Sequence, residues 1–137
     1  MSNVASIYSI LGAHKAAVLL LEKSIEIHSE LFGKRNYTLA ICQASLAQEL
    51  VFLDDFDKAK TLLEEAIEVL KISLDKNDVA IVLREMELAL IYDKLGEKEK
   101  SIELFQTALK IYSNYRGDNH QYTKIFSELL GKMKTNK

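Results

Sequence analysis

Apolar residues recur at intervals of three and four along most of the chain, as in Leu62, Leu63, Ala66, Ile67, Val69 and Leu70, or Leu104, Phe105, Ala108, Leu109, Ile111 and Tyr112. This is the period of amphipathic helices, not of strands. The pattern also matches itself at one fixed step. Ala5, Ala47 and Ala89 lie 42 residues apart (47 − 5 and 89 − 47). The blocks LLLEKSIEI at 19–27, TLLEEAIEV at 61–69 and ELFQTALKI at 103–111 keep that step without an insertion. A fixed period of this length is the mark of a repeat array, in which each unit buries its apolar face against its neighbours.

Punctuation divides each repeat in two. Gly12, Asp54 and Gly96 share one register position, and Gly33, Asp75 and Gly117 share another. Residues that tolerate positive φ suit the turn just after a helix ends. Each repeat therefore reads as two antiparallel helices: 2–11 with 14–32, 37–53 with 56–74, and 79–95 with 98–116. A last helix over 120–134 stands alone. Asn36, Asp78 and either Asp118 or Asn119 are the expected N-caps. The reading is all-α: a right-handed α-solenoid of three helix pairs plus a C-terminal capping helix, in one domain over 1–137. Repeat one covers 1–35, repeat two 36–77, repeat three 78–119 and the cap helix 120–135.

Small residues mark where helices touch. Ala5, Ala47, Ala89 and Gly131 share one position on the first helix of each pair. Ala17, Ala59 and Ser101, then Ser24, Ala66 and Ala108, share two positions on the second. Ile125, Phe126, Leu129 and Leu130 are expected to cover repeat three, so the array reads as closed at that end. The first helix of repeat one is shorter than its counterparts, which leaves an open face or marks a piece of a longer protein.

These positions resemble the tetratricopeptide repeat (TPR), in the longer 42-residue form of kinesin light chains. The pattern reads Ala47, Asp54, Ala59, Leu63, Ala66 in repeat two and Ala89, Gly96, Ser101, Phe105, Ala108 in repeat three. The segment Gly117, Asp118, Asn119, His120 is similar to that family's Gly-x-x-His turn. Leu31, Phe32 and Gly33, followed by Thr38 and Ala40, are the first-repeat counterpart. Asp54 and Asp75 stand in place of glycine, the closing proline is missing, and the large apolar position early in the first helix holds Gln43 and Glu85. The resemblance implies a scaffold that binds a partner protein on the face lined by the first helix of each pair.

Composition narrows the classes further. The chain has 137 residues, 48% of them hydrophobic and 28% charged, with no proline and five glycines. Eighteen Lys and Arg against twenty Asp and Glu give a net charge of −2, which provides no electrostatic drive toward nucleic acid or an anionic membrane. No apolar stretch approaches the length of a membrane span. The single cysteine, Cys42, rules out an internal disulfide, and no secretion-signal pattern occurs, so the expected location is intracellular, in the cytoplasm.

Candidate chemistry is sparse, and the chain is read as not an enzyme and without a cofactor. His14, His28 and His120 have no Cys or His partner at the spacing of a metal site, and Cys42 reads as a small packing residue. Glu64 with Glu65, and Asp54 with Asp55 and Asp57, read as solvated helix faces and starts. Lys94, Lys98 and Lys100 alternate with Glu97 and Glu99, a pattern of local ion pairing and not of an anion patch.

The candidate site is the concave groove. Opposite the packing alanines, helical offsets bring Ser2, Ser6 and Ser9 to it in repeat one, Ala44, Gln48 and Val51 in repeat two, and Met86, Leu90 and Asp93 in repeat three. Phe52 and Lys94 edge it. Such a mixed lining suits a peptide or an amphipathic helix of a partner protein, although Met86, Leu90 and Val51 are equally read as completing the core. A carboxylate clamp of the kind found in chaperone-tail adaptors is not matched, since these positions hold Ser, Ala, Gln, Met and Leu. Of the asparagines that kinesin light chains carry along the groove, only Asn3 answers, with Ser45 and Glu87 at its equivalents. Two other readings stand beside this one: a regulatory or peptide-sensor domain of a larger protein, and a homodimer formed through the open N-terminal repeat at Ile7, Ile10 and Leu11.

Overall fold

The computed structural model describes residues 2–33, 36–75 and 77–135, with side chains from residue 10 onward. Six helices follow in order: α1 (Ser2–Phe32), α2 (Tyr37–Phe52), α3 (Phe56–Ser73), α4 (Val79–Lys94), α5 (Lys98–Arg116) and α6 (Gln121–Thr135). No strand occurs among the described residues. Two compact units divide the chain, Met1–Leu70 and Lys71–Lys137.

In the first unit the expected turn at Gly12 is absent, and α1 runs unbroken for 31 residues. The comparison with the two turns that do form explains why. After α2, Asp54 takes φ +64°, its N–H reaches Val51 O at 3.0 Å and the Asp55 N–H reaches Leu50 O at 2.8 Å. After α4, Gly96 takes φ +84°, with matching bonds from Gly96 N–H to Asp93 O and from Glu97 N–H to Tyr92 O. Both are Schellman endings. In each, the next residue carries a carboxylate at the start of the following helix: the Asp55 carboxylate accepts from the Lys58 N–H, whereas Glu97 makes no side-chain cap bond and acts only as an acidic group near the helix N-terminus. Repeat one has Ala13 at that position. Alanine is the best helix former and among the poorest N-caps, and a lone glycine inside a helix costs only about 1 kcal/mol.

The core of this unit comes from α2 and α3. Leu39, Ala40, Leu46, Ala47 and Leu50 are buried on α2, as are Ala59, Leu63, Ala66, Ile67 and Leu70 on α3. Asn36 caps α2 as expected, its Oδ1 accepting from the Leu39 N–H at 2.8 Å.

In the second unit Asp78 caps α4 through a 2.9 Å bond from the Ala80 N–H. Val82, Met86 and Ala89 of α4 form one core with Phe105, Ala108, Leu109 and Tyr112 of α5 and Leu130 and Met133 of α6. Phe126 of α6 sets its ring edge-on to Phe105 and Tyr112, with centroids 6.2 and 5.3 Å away. Three local expectations for α6 change. The cap is His120, whose Nδ1 accepts from the Tyr122 N–H, in place of Asp118 or Asn119. Ile125 is exposed, and Met133 fills the core in its stead. Gly131 is exposed, with open space where a Cβ would stand, so it does not mark a close helix crossing.

Candidate functional site

Ser2, Ser6 and Ser9 lie outside the described side chains. On α2, Ala44 is buried, Val51 is half-buried, and Gln48 and Phe52 are exposed. The stripe therefore opens toward the C-terminal end of the helix, where two of its members meet solvent. On α4, Met86 sits in the core, Leu90 packs against that core while half-exposed, Asp93 is half-buried and Lys94 is exposed. Ala44 and Met86 share one register position and fill space between helices, which leaves Gln48, Val51, Phe52, Leu90, Asp93 and Lys94 with surface. Asp93 lies 3.6 Å from the Lys98 ammonium.

Phe52 does not stand free. The His14 imidazole of α1 stacks on its ring with centroids 3.7 Å apart and planes 21° from parallel. The other side of this small cluster is polar, since His14 Nδ1 also contacts Glu49 Oε2. Spacing gives no hint of a contact between residues 14 and 49. A weaker signal exists: Glu49 occupies the register position of Ile7 and Ile91, and Ile91 is buried. A carboxylate in an otherwise apolar position requires a partner or solvent.

The same rule accounts for Gln43 and Glu85. Gln43 is buried on α2, and its Nε2 donates to Glu65 Oε2 of α3 at 3.4 Å. Glu85 lies 3.5 Å from the Lys71 ammonium. These two polar side chains, at a position the resemblance makes apolar, are each partnered by a side chain of α3.

The remaining candidates acquire structural roles. Asp55 belongs to the turn, Asp75 closes another by accepting from the Asn77 N–H at 2.8 Å, and Lys100 lies over the Tyr92 ring at 4.6 Å. Cys42 is half-buried with a free thiol. Among the described residues no group of three or more His, Cys, Asp or Glu side chains is arranged to hold a metal ion.

Comparison with known proteins adds to this geometry. A tetratricopeptide repeat family model matches residues 1–72, and a second tetratricopeptide repeat model matches residues 86–115. Comparison with curated protein sequences gives no match. The fold is similar to a crystal structure of nearly identical TPR-like repeats from a candidate kinesin light chain of Podosopora anserina. The TM-score is 0.82 and the identity 21%, over 96% of this chain and 62% of that one. A single-substitution variant of the same protein gives a TM-score of 0.81 at 21% identity, over 96% and 62% of the two chains. The chain thus spans under two thirds of the length of these structures, and the likeness shows an all-α solenoid fold. With a family model covering more than half of its length, the chain belongs to the tetratricopeptide repeat family.

Proposed function

We propose that this chain is a non-catalytic interaction module that takes a peptide or helical segment of a partner protein in the concave groove lined by the first helices of its repeats. TPR repeats generally mediate protein–protein interaction and are generally non-catalytic. The observation that carries the finer reading is the end of α2, where exposed Gln48 stands beside Val51 and Phe52 and the Phe52 ring is braced by His14. A braced aromatic binds at low entropic cost, and a neighbouring amide can pair with peptide backbone groups. On α4, Leu90, Asp93 and Lys94 supply a second strip with apolar and charged members. No helix among the described residues is long and apolar enough to cross a membrane, and the cytoplasm is the compartment proposed.

The test is affinity capture from source lysate with the wild-type chain and with Gln48→Ala combined with Leu90→Glu. The double variant is expected to lose the proteins that the wild type retains. Equal retention by both overturns the groove assignment.

A further inference from the structure

We infer that this chain pairs with a second copy of itself through an exposed face of α1, the two helices lying antiparallel as a short coiled coil. The face follows a heptad. Ala13, Ala17, Leu20, Ser24, Ile27 and Leu31 succeed one another at alternating steps of four and three residues, which puts them in one stripe, the a and d seam of a coiled coil. Its large members stand at the surface: Leu20 is 70% exposed, Ile27 47% and Leu31 69%.

Two parts of this face are not shared with the other repeats. Leu31 occupies the register position of Ser73 on α3 and Tyr115 on α5. Along one flank of the seam, Lys23 and Glu30 hold the g positions, where α3 has Glu65 and Ile72 and α5 has Thr107 and Asn114. Of these three helices only α1 carries opposite charges one heptad apart on the same side of the stripe. Lys23 and Glu30 are both exposed, and among the described residues neither has an ion partner.

That flank selects the occupant. Charges at the g positions set partner and orientation in coiled coils, and in an antiparallel pair g faces g. With Leu20 opposite Leu31 of the second copy, Ser24 comes opposite Ile27 and Lys23 opposite Glu30, and the two-fold axis repeats each pair. A slip of one heptad, with Leu31 against Ala13, instead brings Lys23 level with Lys23 of the second copy. A parallel pair sets Lys23 beside His28. The two charges are therefore complementary to a second copy in one orientation and one register. The seam from Leu20 to Leu31 is about 17 Å long, which makes the interface a small one and the dimer weak and concentration-dependent. The face shares no residue with the strips on α2 and α4, so it stands apart from the groove reading.

Sedimentation of the full chain over a rising concentration series tests the pairing. The wild type is expected to approach twice the chain mass. Leu20→Glu, at an exposed position, is expected to stay monomeric with an unchanged circular dichroism spectrum. Lys23→Glu and Glu30→Lys each turn two attractive pairs repulsive and are expected to weaken the dimer roughly tenfold. Both changes in one chain restore the wild-type constant. In a Cys42→Ser background, Leu20→Cys and Leu31→Cys chains are prepared separately, mixed and mildly oxidised, and the expected product is the mixed disulfide. A wild type that stays monomeric to its solubility limit overturns the pairing and leaves the face to some other protein. So does a Leu20→Glu chain that dimerises like the wild type. A double charge variant no tighter than the single ones, or a Leu31→Cys chain that links to Ala13→Cys in preference to Leu20→Cys, overturns it as well.

Discussion

The hydroxyl of Ser101 donates a 2.6 Å hydrogen bond to the backbone carbonyl oxygen of Ala89, so α5 meets α4 through two small and fully buried residues. The contact marks a close approach of the two helices within a core that Met86, Phe105 and Ala108 also fill. Ser101→Ala keeps the small volume and loses one neutral hydrogen bond, an expected cost of about 1 kcal/mol. Ser101→Leu has no room and is expected to cost about 1–3 kcal/mol through overpacking. Urea unfolding midpoints for the two variants and the exposed control Lys110→Ala check the order, with the control unchanged.

Glycines at register positions behave differently according to backbone and not to period. Gly96 has φ +84°, so Gly96→Ala is expected to destabilise by about 1–2 kcal/mol even though nothing crowds the position. Gly131 is helical and exposed with open space for a Cβ, and Gly131→Ala is expected to stabilise by about 0.5–1 kcal/mol. Thermal melts of the pair should therefore move in opposite directions.

These two glycines also show what the residue pattern makes legible. Periodicity found α2 to α6 to within a residue or so at each end, because every one of them joins an apolar stripe to a turn residue or a cap, as at Asn36 and Asp78. At Gly12 the glycine alone suggests a turn, which α1 does not make. The missing half of the signal was Ala13, where a carboxylate begins the helix in the other repeats. For Gly131 and Ile125 the repeat register does not carry over, because α6 turns Thr123, Leu130 and Met133 inward. Within the candidate groove, spacing placed Ala44 and Met86 on the same stripe as Gln48 and Leu90. It carried no information on how deeply neighbouring elements cover the start of each stripe. The pairing of His14 with Glu49 and Phe52 joins residues from separate repeats, and only the packed helices reveal it.

Gln43 offers a test of specificity against stability. Its amide is buried on α2 with a long 3.4 Å bond to Glu65, in a position where an apolar side chain would pack. A long bond returns little of the cost of removing an amide from water. Gln43→Leu has similar volume and leaves Glu65, which is exposed, to solvent. The expected result is a stability gain of about 1 kcal/mol by chemical denaturation. A loss of similar size would mean that the Gln43–Glu65 contact holds α2 and α3 in register more firmly than its length indicates.

The stack of His14 on Phe52 links the fold of the first unit to its proposed binding strip. Phe52 is 48% exposed at the end of α2, where an unsupported ring would sample several rotamers, and the imidazole of α1 occupies one face of it. His14→Ala removes both that face and the contact to Glu49 Oε2, leaving α2 otherwise untouched. A double-mutant cycle of His14→Ala and Phe52→Ala is expected to give a coupling energy of about 0.5–1.5 kcal/mol, the range for stacked aromatic pairs beyond their buried area. Capture of partner proteins adds a second readout. If Phe52 binds as a braced anchor, His14→Ala weakens capture while circular dichroism shows the helices intact. Phe52→Ala then weakens it at least as much, and the double variant falls no further than Phe52→Ala alone. Capture that is unaffected by His14→Ala but lost with Phe52→Ala would separate the ring's binding role from its support. Capture unaffected by either would remove the end of α2 from the interaction surface.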